Sequence, residues 1–173
     1  MPIHVTDLSG HRNLTLEEFG RLIAGRPRAR LGDLTLQEIC QVPLRPHGIY
    51  FMYATDGALW YIGKASSRTF GTRMSAHLDQ QEGAMLNTVP RKIVKHRSIP
   101  YQQALSQALD LQVTFISVPE EIGMDKLEAA LQSVLRPHLN TQVRKVLPSD
   151  VVATFMLPPV VRKKKARTNP RAE

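Results

Sequence analysis

The stretch GIYFMYATDGALWYIGK at residues 48–64 decides the fold of this chain. Its two flanking runs, GIYFMYA and ALWYIG, are rich in β-branched and aromatic residues, which favour strands. The Asp56-Gly57 pair between them is typical of a tight hairpin turn. The sequence therefore predicts two adjacent antiparallel strands, and their pairing is expected to bring Tyr50 and Tyr61 near one site.

Outward from this hairpin, the spacing of apolar residues predicts helices and one further strand. The predicted helices cover 14–24, 34–42, 73–81, 101–109 and 124–135, the further strand covers 111–118, and 83–96 is predicted to be irregular and basic. These elements predict an α+β fold, in which a small three-stranded antiparallel sheet is flanked by helices and preceded by a helical extension.

The length and the distribution of residue types predict a single domain over 1–161. Within it, we expect a helical extension at 1–45, a core at 46–145 and an apolar C-terminal segment at 146–161 that packs on the domain. Residues 162–173 contain six Lys or Arg residues and one Glu. A run of like charges cannot bury itself, so this last segment is predicted to be a disordered basic tail.

The composition is ordinary for a globular protein, with 42% hydrophobic and 22% charged residues. The single cysteine excludes an internal disulfide framework and fits a reducing compartment. No apolar run approaches the roughly 18 residues that a membrane span needs, and the first residues lack the pattern of a signal peptide. We therefore expect a cytoplasmic protein that does not enter a membrane.

The net charge of +8 is unevenly distributed, because the 161 residues before the tail contain 17 basic and 14 acidic groups. Within the domain, positive charge is clustered between residues 91 and 97, with Arg68 and Arg73 earlier in the chain. Basic clusters are common on solvated surfaces. Two clusters beside a candidate active site nevertheless favour an acidic polymer as the partner.

Several short motifs follow one another in a fixed order: GIY at 48–50, YIGK at 61–64, RMSAH at 73–77 and LEAALQSVLRPHLN at 127–140. Together they resemble the GIY-YIG nuclease family, and most closely its compact single-domain type II restriction endonucleases. The resemblance implies metal-dependent hydrolysis of double-stranded DNA at a specific site. Because such enzymes cut both strands of a short palindrome, it also implies a homodimer.

The residues of these motifs suit the chemistry of phosphodiester hydrolysis. Arg73 offers a charged fork for a phosphate, and Glu128 is a hard oxygen ligand for one Mg²⁺ or Mn²⁺ ion. The resemblance implies that Tyr50 is the general base with His77 as its partner, although His77 can instead take the proton through Tyr50. Tyr61 is expected to orient the phosphate or the water.

Two further motif residues have supporting roles in this interpretation. Lys64 is expected to touch the DNA backbone, and Asn140 to brace either the helix of Glu128 or a loop of the site by side-chain hydrogen bonds. The complete set of predicted DNA-binding residues is Lys64, Arg68, Arg91, Lys92, Lys95 and Arg97.

Two other functions stay open on the sequence. One is a stand-alone DNA repair or structure-specific nuclease of the same family. The other is a nucleic-acid-binding protein that has the fold without catalysis, although a binding protein has no need of the carboxylate of Glu128.

Overall fold

The computed structural model describes residues 5–7, 14–41, 47–66, 68–78, 88–118 and 123–140. The strands are β1 (Val5–Asp7), β2 (Ala29–Arg30), β3 (Gly48–Tyr53), β4 (Leu59–Ala65) and β5 (Gln112–Ser117). The helices are α1 (Leu16–Ala24), α2 (Leu36–Gln41), α3 (Phe70–His77), α4 (Val89–Arg97), α5 (Tyr101–Leu109) and α6 (Met124–Leu135), with a 3₁₀ turn at Leu31–Asp33. None of these helices has the length and apolar character needed to cross a membrane.

The sheet is built around β3, which pairs antiparallel with β4 on one side and with β5 on the other. The outer edge of β5 pairs antiparallel with β2 at one end and parallel with β1 at the other. The predicted α+β class is confirmed. The three predicted strands form part of the sheet, but the described residues add β1 and β2, so the sheet has five strands in the described part of the chain and the N-terminal extension is not only helical. Strands β1 and β2 satisfy backbone groups that an open edge of β5 would leave unpaired.

The predicted hairpin is confirmed at the Asp56-Gly57 turn. Gly57 has a φ of +85°, a conformation that glycine adopts without steric penalty. The Oδ1 atom of Asp56 accepts a hydrogen bond of 2.9 Å from the backbone N–H of Ala58. The turn residues therefore account for the tight connection between β3 and β4.

The register of the hairpin shifts between Met52 and Tyr53, which pair with Tyr61 and Leu59 respectively. Trp60 therefore has no Cα partner in the ladder, as in a β-bulge. Trp60 and Tyr61 consequently both join the core on the same face of the sheet, although consecutive strand residues normally point to opposite faces. Because of this irregularity, two aromatic side chains of β4 lie on the same face of the sheet as Tyr50.

Helices cover both faces of the sheet, which produces three layers. On the face of Tyr50, the core includes side chains from α3, α4 and α5. On the opposite face, it includes side chains from α1 and α6. Because helices pack on both faces of the sheet, all six residues of β3 are buried.

The prediction that residues 83–96 are irregular is wrong from Val89 onward, because Val89–Arg97 form helix α4. Pro90 lies in the first turn, where the absence of its N–H costs nothing, and three basic residues occupy the last turn, where they face the negative end of the helix dipole. Helix α3 also begins earlier than predicted, at Phe70, because the Thr69 side chain caps it by accepting a hydrogen bond from the N–H of Thr72.

The other predicted helices are confirmed within one or two residues at their ends. Helix α1 begins with a capping box that Thr15 and Glu18 form. The predicted C-terminal packing segment (146–161) and the basic tail (162–173) lie outside the described residues.

Candidate active site

Tyr50 and His77 form a buried hydrogen-bonded pair at the centre of the candidate site. Tyr50 lies in the middle of β3 and His77 is the last residue of α3, and the distance from the phenol oxygen to Nε2 is 2.6 Å. No part of Tyr50 is exposed, and His77 is 5% exposed. The Tyr61 ring lies beside both, with ring centroids 6.1 Å from Tyr50 and 5.3 Å from His77. The structure therefore brings both motif tyrosines and the motif histidine together, as expected.

The position of the Tyr50 ring depends on Gly63, its cross-strand partner on β4. A Cβ atom at residue 63 would overlap the phenol oxygen and ring carbons of Tyr50. Only glycine leaves the space in which the Tyr50 side chain reaches His77. This contact is the physical reason for a glycine two residues after the second motif tyrosine.

Burial dominates the protonation of the pair. It raises the pKa of Tyr50 well above its ordinary value, as does the neighbouring Tyr61, while the charge of Arg73 acts in the opposite direction. Burial also lowers the pKa of His77 to about 3, with further contributions from Arg73 and Lys92. At neutral pH both groups are therefore uncharged. A phenol hydrogen donated to Nε2 would then leave the imidazole hydrogen on Nδ1.

Arg73 lies one turn before His77 on α3, on the side of the two tyrosines. Its Nε atom is buried and has no hydrogen-bond partner among the described residues. Burial alone would lower the pKa of Arg73, but Tyr50, Tyr61 and Glu128 outweigh this effect and the pKa is raised. A guanidinium with an unused buried donor beside a tyrosine pair is suited to bind an anion.

Glu128 lies in the middle of α6, and its carboxylate is held by a lysine of the YIGK motif. The Nζ atom of Lys64 donates to Oε2 of Glu128 at 2.6 Å and lies 2.5 Å from Oδ1 of Asp125. Burial would lower the pKa of Lys64, but these two contacts raise it. One ammonium ion thus lies between two carboxylates that are one helical turn apart.

The oxygen ligands at this position fit a divalent cation that keeps several of its waters. Mg²⁺ and Mn²⁺ prefer carboxylate oxygens, and one or two protein carboxylates suffice when substrate phosphate and water complete the shell. Asp125 and Glu128 already surround a positive charge, that of Lys64. Among the described residues, no group of three or more His, Cys, Asp or Glu side chains is arranged to hold a metal.

Asn140 braces the edge strand β4 and does not bind the helix of Glu128. Its Oδ1 accepts a hydrogen bond from the Ile62 N–H, and its Nδ2 donates one to the Ile62 carbonyl, both at 2.9 Å. The side-chain amide therefore pairs with β4 as a neighbouring strand would. Leu139 continues the same pattern with a backbone hydrogen bond of 2.8 Å to the carbonyl of Trp60. This segment holds the strand that carries Tyr61 and Lys64.

The predicted DNA-binding residues divide into two groups. Lys64 and Lys92 lie at the candidate site, with Lys92 5.5 Å from the centroid of the Tyr61 ring. The others lie outside it. Arg68 is exposed in the segment before α3, Lys95 is exposed on α4, Arg91 lies over the Tyr101 ring, and Arg97 lies over the Trp60 ring.

Two members of the site were not assigned to it from the sequence. Asp125 was overlooked although its spacing of three residues from Glu128 places both on one side of a helix. Lys92 was predicted to bind DNA but not to join the catalytic residues, because its segment was predicted to be an irregular basic stretch. The proline early in the segment and the basic residues at its end are the signals that would have indicated a helix.

The geometry combines a neutral Tyr–His pair, three cations (Lys64, Arg73 and Lys92) and a carboxylate pair within one site. Such a set can bind a phosphate, hold a divalent cation and move a proton. Comparisons with models of known protein families, with curated proteins and with solved structures found no significant match.

Proposed function

We propose that this protein is a metal-dependent DNA endonuclease that hydrolyses phosphodiester bonds at the site around Tyr50. The observation that carries the proposal is the unused buried donor of Arg73 beside the hydrogen-bonded Tyr50–His77 pair. A buried donor without a partner on a half-buried cation is costly, and an anion bound there would offset this cost. A phosphate of DNA supplies that anion, and the resemblance to the GIY-YIG nucleases points to the same substrate.

In the proposed reaction, Arg73 binds the scissile phosphate and stabilises the charge that develops on its non-bridging oxygens. The attacking water gives a proton to the Tyr50 oxygen while the Tyr50 proton passes to Nε2 of His77. Bound phosphate offsets the positive charge that disfavours protonation of His77, and this makes the transfer easier. Because Tyr50 is fully buried, the Arg73 or Tyr61 side chain has to shift when the substrate binds, as catalytic contacts often do.

Glu128, with Asp125 beside it, would hold the Mg²⁺ or Mn²⁺ ion in this proposal. Such an ion supplies electrophilic stabilisation of the phosphate and of the departing oxygen. Lys64 would have to release Glu128 for this carboxylate to hold the ion. Its ammonium group would then be free to contact the DNA backbone.

The test is cleavage of supercoiled, linear and branched DNA with Mg²⁺ or Mn²⁺ by the wild type and by Glu128→Gln. Metal ligation contributes several kcal/mol to catalysis, so Glu128→Gln should lose at least about 100-fold in rate. Asp56→Asn, in the exposed hairpin turn, is the matched control and should cleave at the wild-type rate.

The pattern of products distinguishes the proposed activities. Discrete fragments from linear DNA would support a type II restriction endonuclease, and cleavage confined to junctions or flaps would support a structure-specific nuclease. Binding of DNA without any metal-dependent cleavage would reject the enzymatic function and leave a binding protein.

A further inference from the structure

Lys92 is a half-buried lysine that reaches the candidate site from α4. Its Nζ atom donates a hydrogen bond of 3.4 Å to the carbonyl oxygen of Leu139. It also lies 5.5 Å from the centroid of the Tyr61 ring, at the distance of a cation–π contact. These two contacts place the ammonium group beside the Tyr61 ring, at the candidate site.

The charge of Lys92 is incompletely compensated. Lys92 forms no ion pair with a carboxylate of the residues that the structure describes. Burial and the nearby Lys95 lower the pKa of Lys92, while Glu128 acts in the opposite direction. A carbonyl and an aromatic face are weak partners for a half-buried ammonium, so the position favours an additional anion.

Lys92 on α4 and Arg73 on α3 interact electrostatically with the same two residues, His77 and Glu128. Both lower the pKa of His77, and Glu128 acts electrostatically on both. Since α3 carries one cation and α4 the other, positive charge converges on the Tyr61–His77 pair from two elements. One negatively charged group bound beside these rings would compensate both cations.

We propose that Lys92 is a catalytic residue whose ammonium group binds a non-bridging oxygen of the scissile phosphate, together with Arg73. This inference rests on the proposed nuclease function and deepens it. It distinguishes Lys92 from the basic residues on the exposed side of α4, whose expected role is attraction of the DNA backbone. The two cations share the charge of the transition state, so neither alone is sufficient for full rate.

The experiment compares Lys92→Met and Lys92→Arg with Lys126→Met, a matched change at an exposed lysine of α6. Single-turnover cleavage rates are measured with Mg²⁺ at saturating DNA. Binding of the same DNA is measured separately in the cleavage-deficient Glu128→Gln background, with and without Lys92→Met. Thermal unfolding of each protein is recorded as a readout of folding.

Lys92→Met should reduce the cleavage rate about 100-fold, the effect of removing one donor to a developing oxyanion. Its DNA affinity should fall less than about 10-fold, and its melting temperature should equal or exceed that of the wild type because an uncompensated cation has been removed. Lys92→Arg should recover part of the rate, and Lys126→Met should behave as the wild type.

Wild-type cleavage by Lys92→Met at saturating DNA would overturn the catalytic role while leaving the nuclease function intact. A lower rate that accompanies a lower melting temperature and no rescue by Lys92→Arg would also overturn it, since that result indicates a structural role. Absence of cleavage by the wild type would instead reject the nuclease function, and this inference with it.

Discussion

At the scale of single residues, the site depends on one small side chain as much as on its reactive groups. The Tyr50 ring passes over Gly63, and its oxygen meets His77 only because residue 63 has no Cβ atom. The hydrogen bond of this pair, the burial of both rings and the resulting neutral protonation states all follow from that approach.

The first prediction concerns Gly63→Ala. The added methyl group overlaps the Tyr50 side chain, and overpacking of a buried site costs about 1–3 kcal/mol in the free energy of unfolding. Urea unfolding measures this loss, and DNA cleavage should fall with it because Tyr50 is displaced from His77.

The matched control is Gly20→Ala, in the middle of α1, where a Cβ atom meets nothing within 4 Å. Alanine favours a helix over glycine by about 0.5–1 kcal/mol, so this variant should be at least as stable as the wild type. Equal stability of Gly63→Ala and the wild type would contradict the close approach of Tyr50 to residue 63.

At the scale of elements, the edge strand β4 is held by side-chain amides in place of a further strand. Asn140 satisfies both backbone groups of Ile62, and Gln132 of α6 adds a longer hydrogen bond of 3.3 Å to the same carbonyl. Because β4 carries Tyr61, Gly63 and Lys64, its position determines the geometry of the site. Asn140 is thus expected to act through β4.

The second prediction is that Asn140→Ala destabilises the protein. It leaves the N–H of the fully buried Ile62 without its partner, which costs about 1–3 kcal/mol in the free energy of unfolding. Chemical denaturation measures the change, and Gln102→Ala, at an exposed amide of α5, should stay within about 0.5 kcal/mol of the wild type.

A different result would give the Asn140 side chain another role. If Asn140→Ala kept the stability of the wild type but lost cleavage, the side chain would have to contact the substrate directly. Bracing of β4 would then be the wrong explanation.

At the scale of the whole molecule, the stability of the fold is linked to pH through His77. Its pKa is about 3 in the folded protein and near the ordinary 6.5 when unfolded. Between these pH values the unfolded chain binds one more proton than the folded one. The free energy of unfolding therefore falls as the pH is lowered through this window, by up to about 1.4 kcal/mol per pH unit from this residue.

The third prediction follows from that linkage. His77→Gln removes the proton-binding group, so its stability should fall less steeply than that of the wild type between pH 6 and pH 4. Urea denaturation across this range measures both slopes, and above pH 7 the two curves should run parallel. Equal slopes below pH 6 would show that His77 is not buried in its neutral form.

The fold as a whole also shows which elements local sequence patterns can predict. The hairpin, α5, α6 and β5 were predictable because each is specified by local spacing and turn chemistry. Helix α4 was missed because its charged composition obscured a short apolar face that becomes evident only when Val89 and Ile93 pack in the core. Strands β1 and β2 were missed because two or three residues carry no periodicity, and the open edge of β5 is what pairs them.

The sequence by itself determined the hairpin, the order of the central elements and the residue types that suit the proposed binding of phosphate and metal. Those features are local, because turn residues, helix caps and residue types specify them directly. Only the tertiary structure decided that Lys64 lies between Asp125 and Glu128, that Lys92 reaches Tyr61, and which strand Asn140 braces. These contacts join residues far apart in the chain, and their geometry depends on how the elements pack around the sheet.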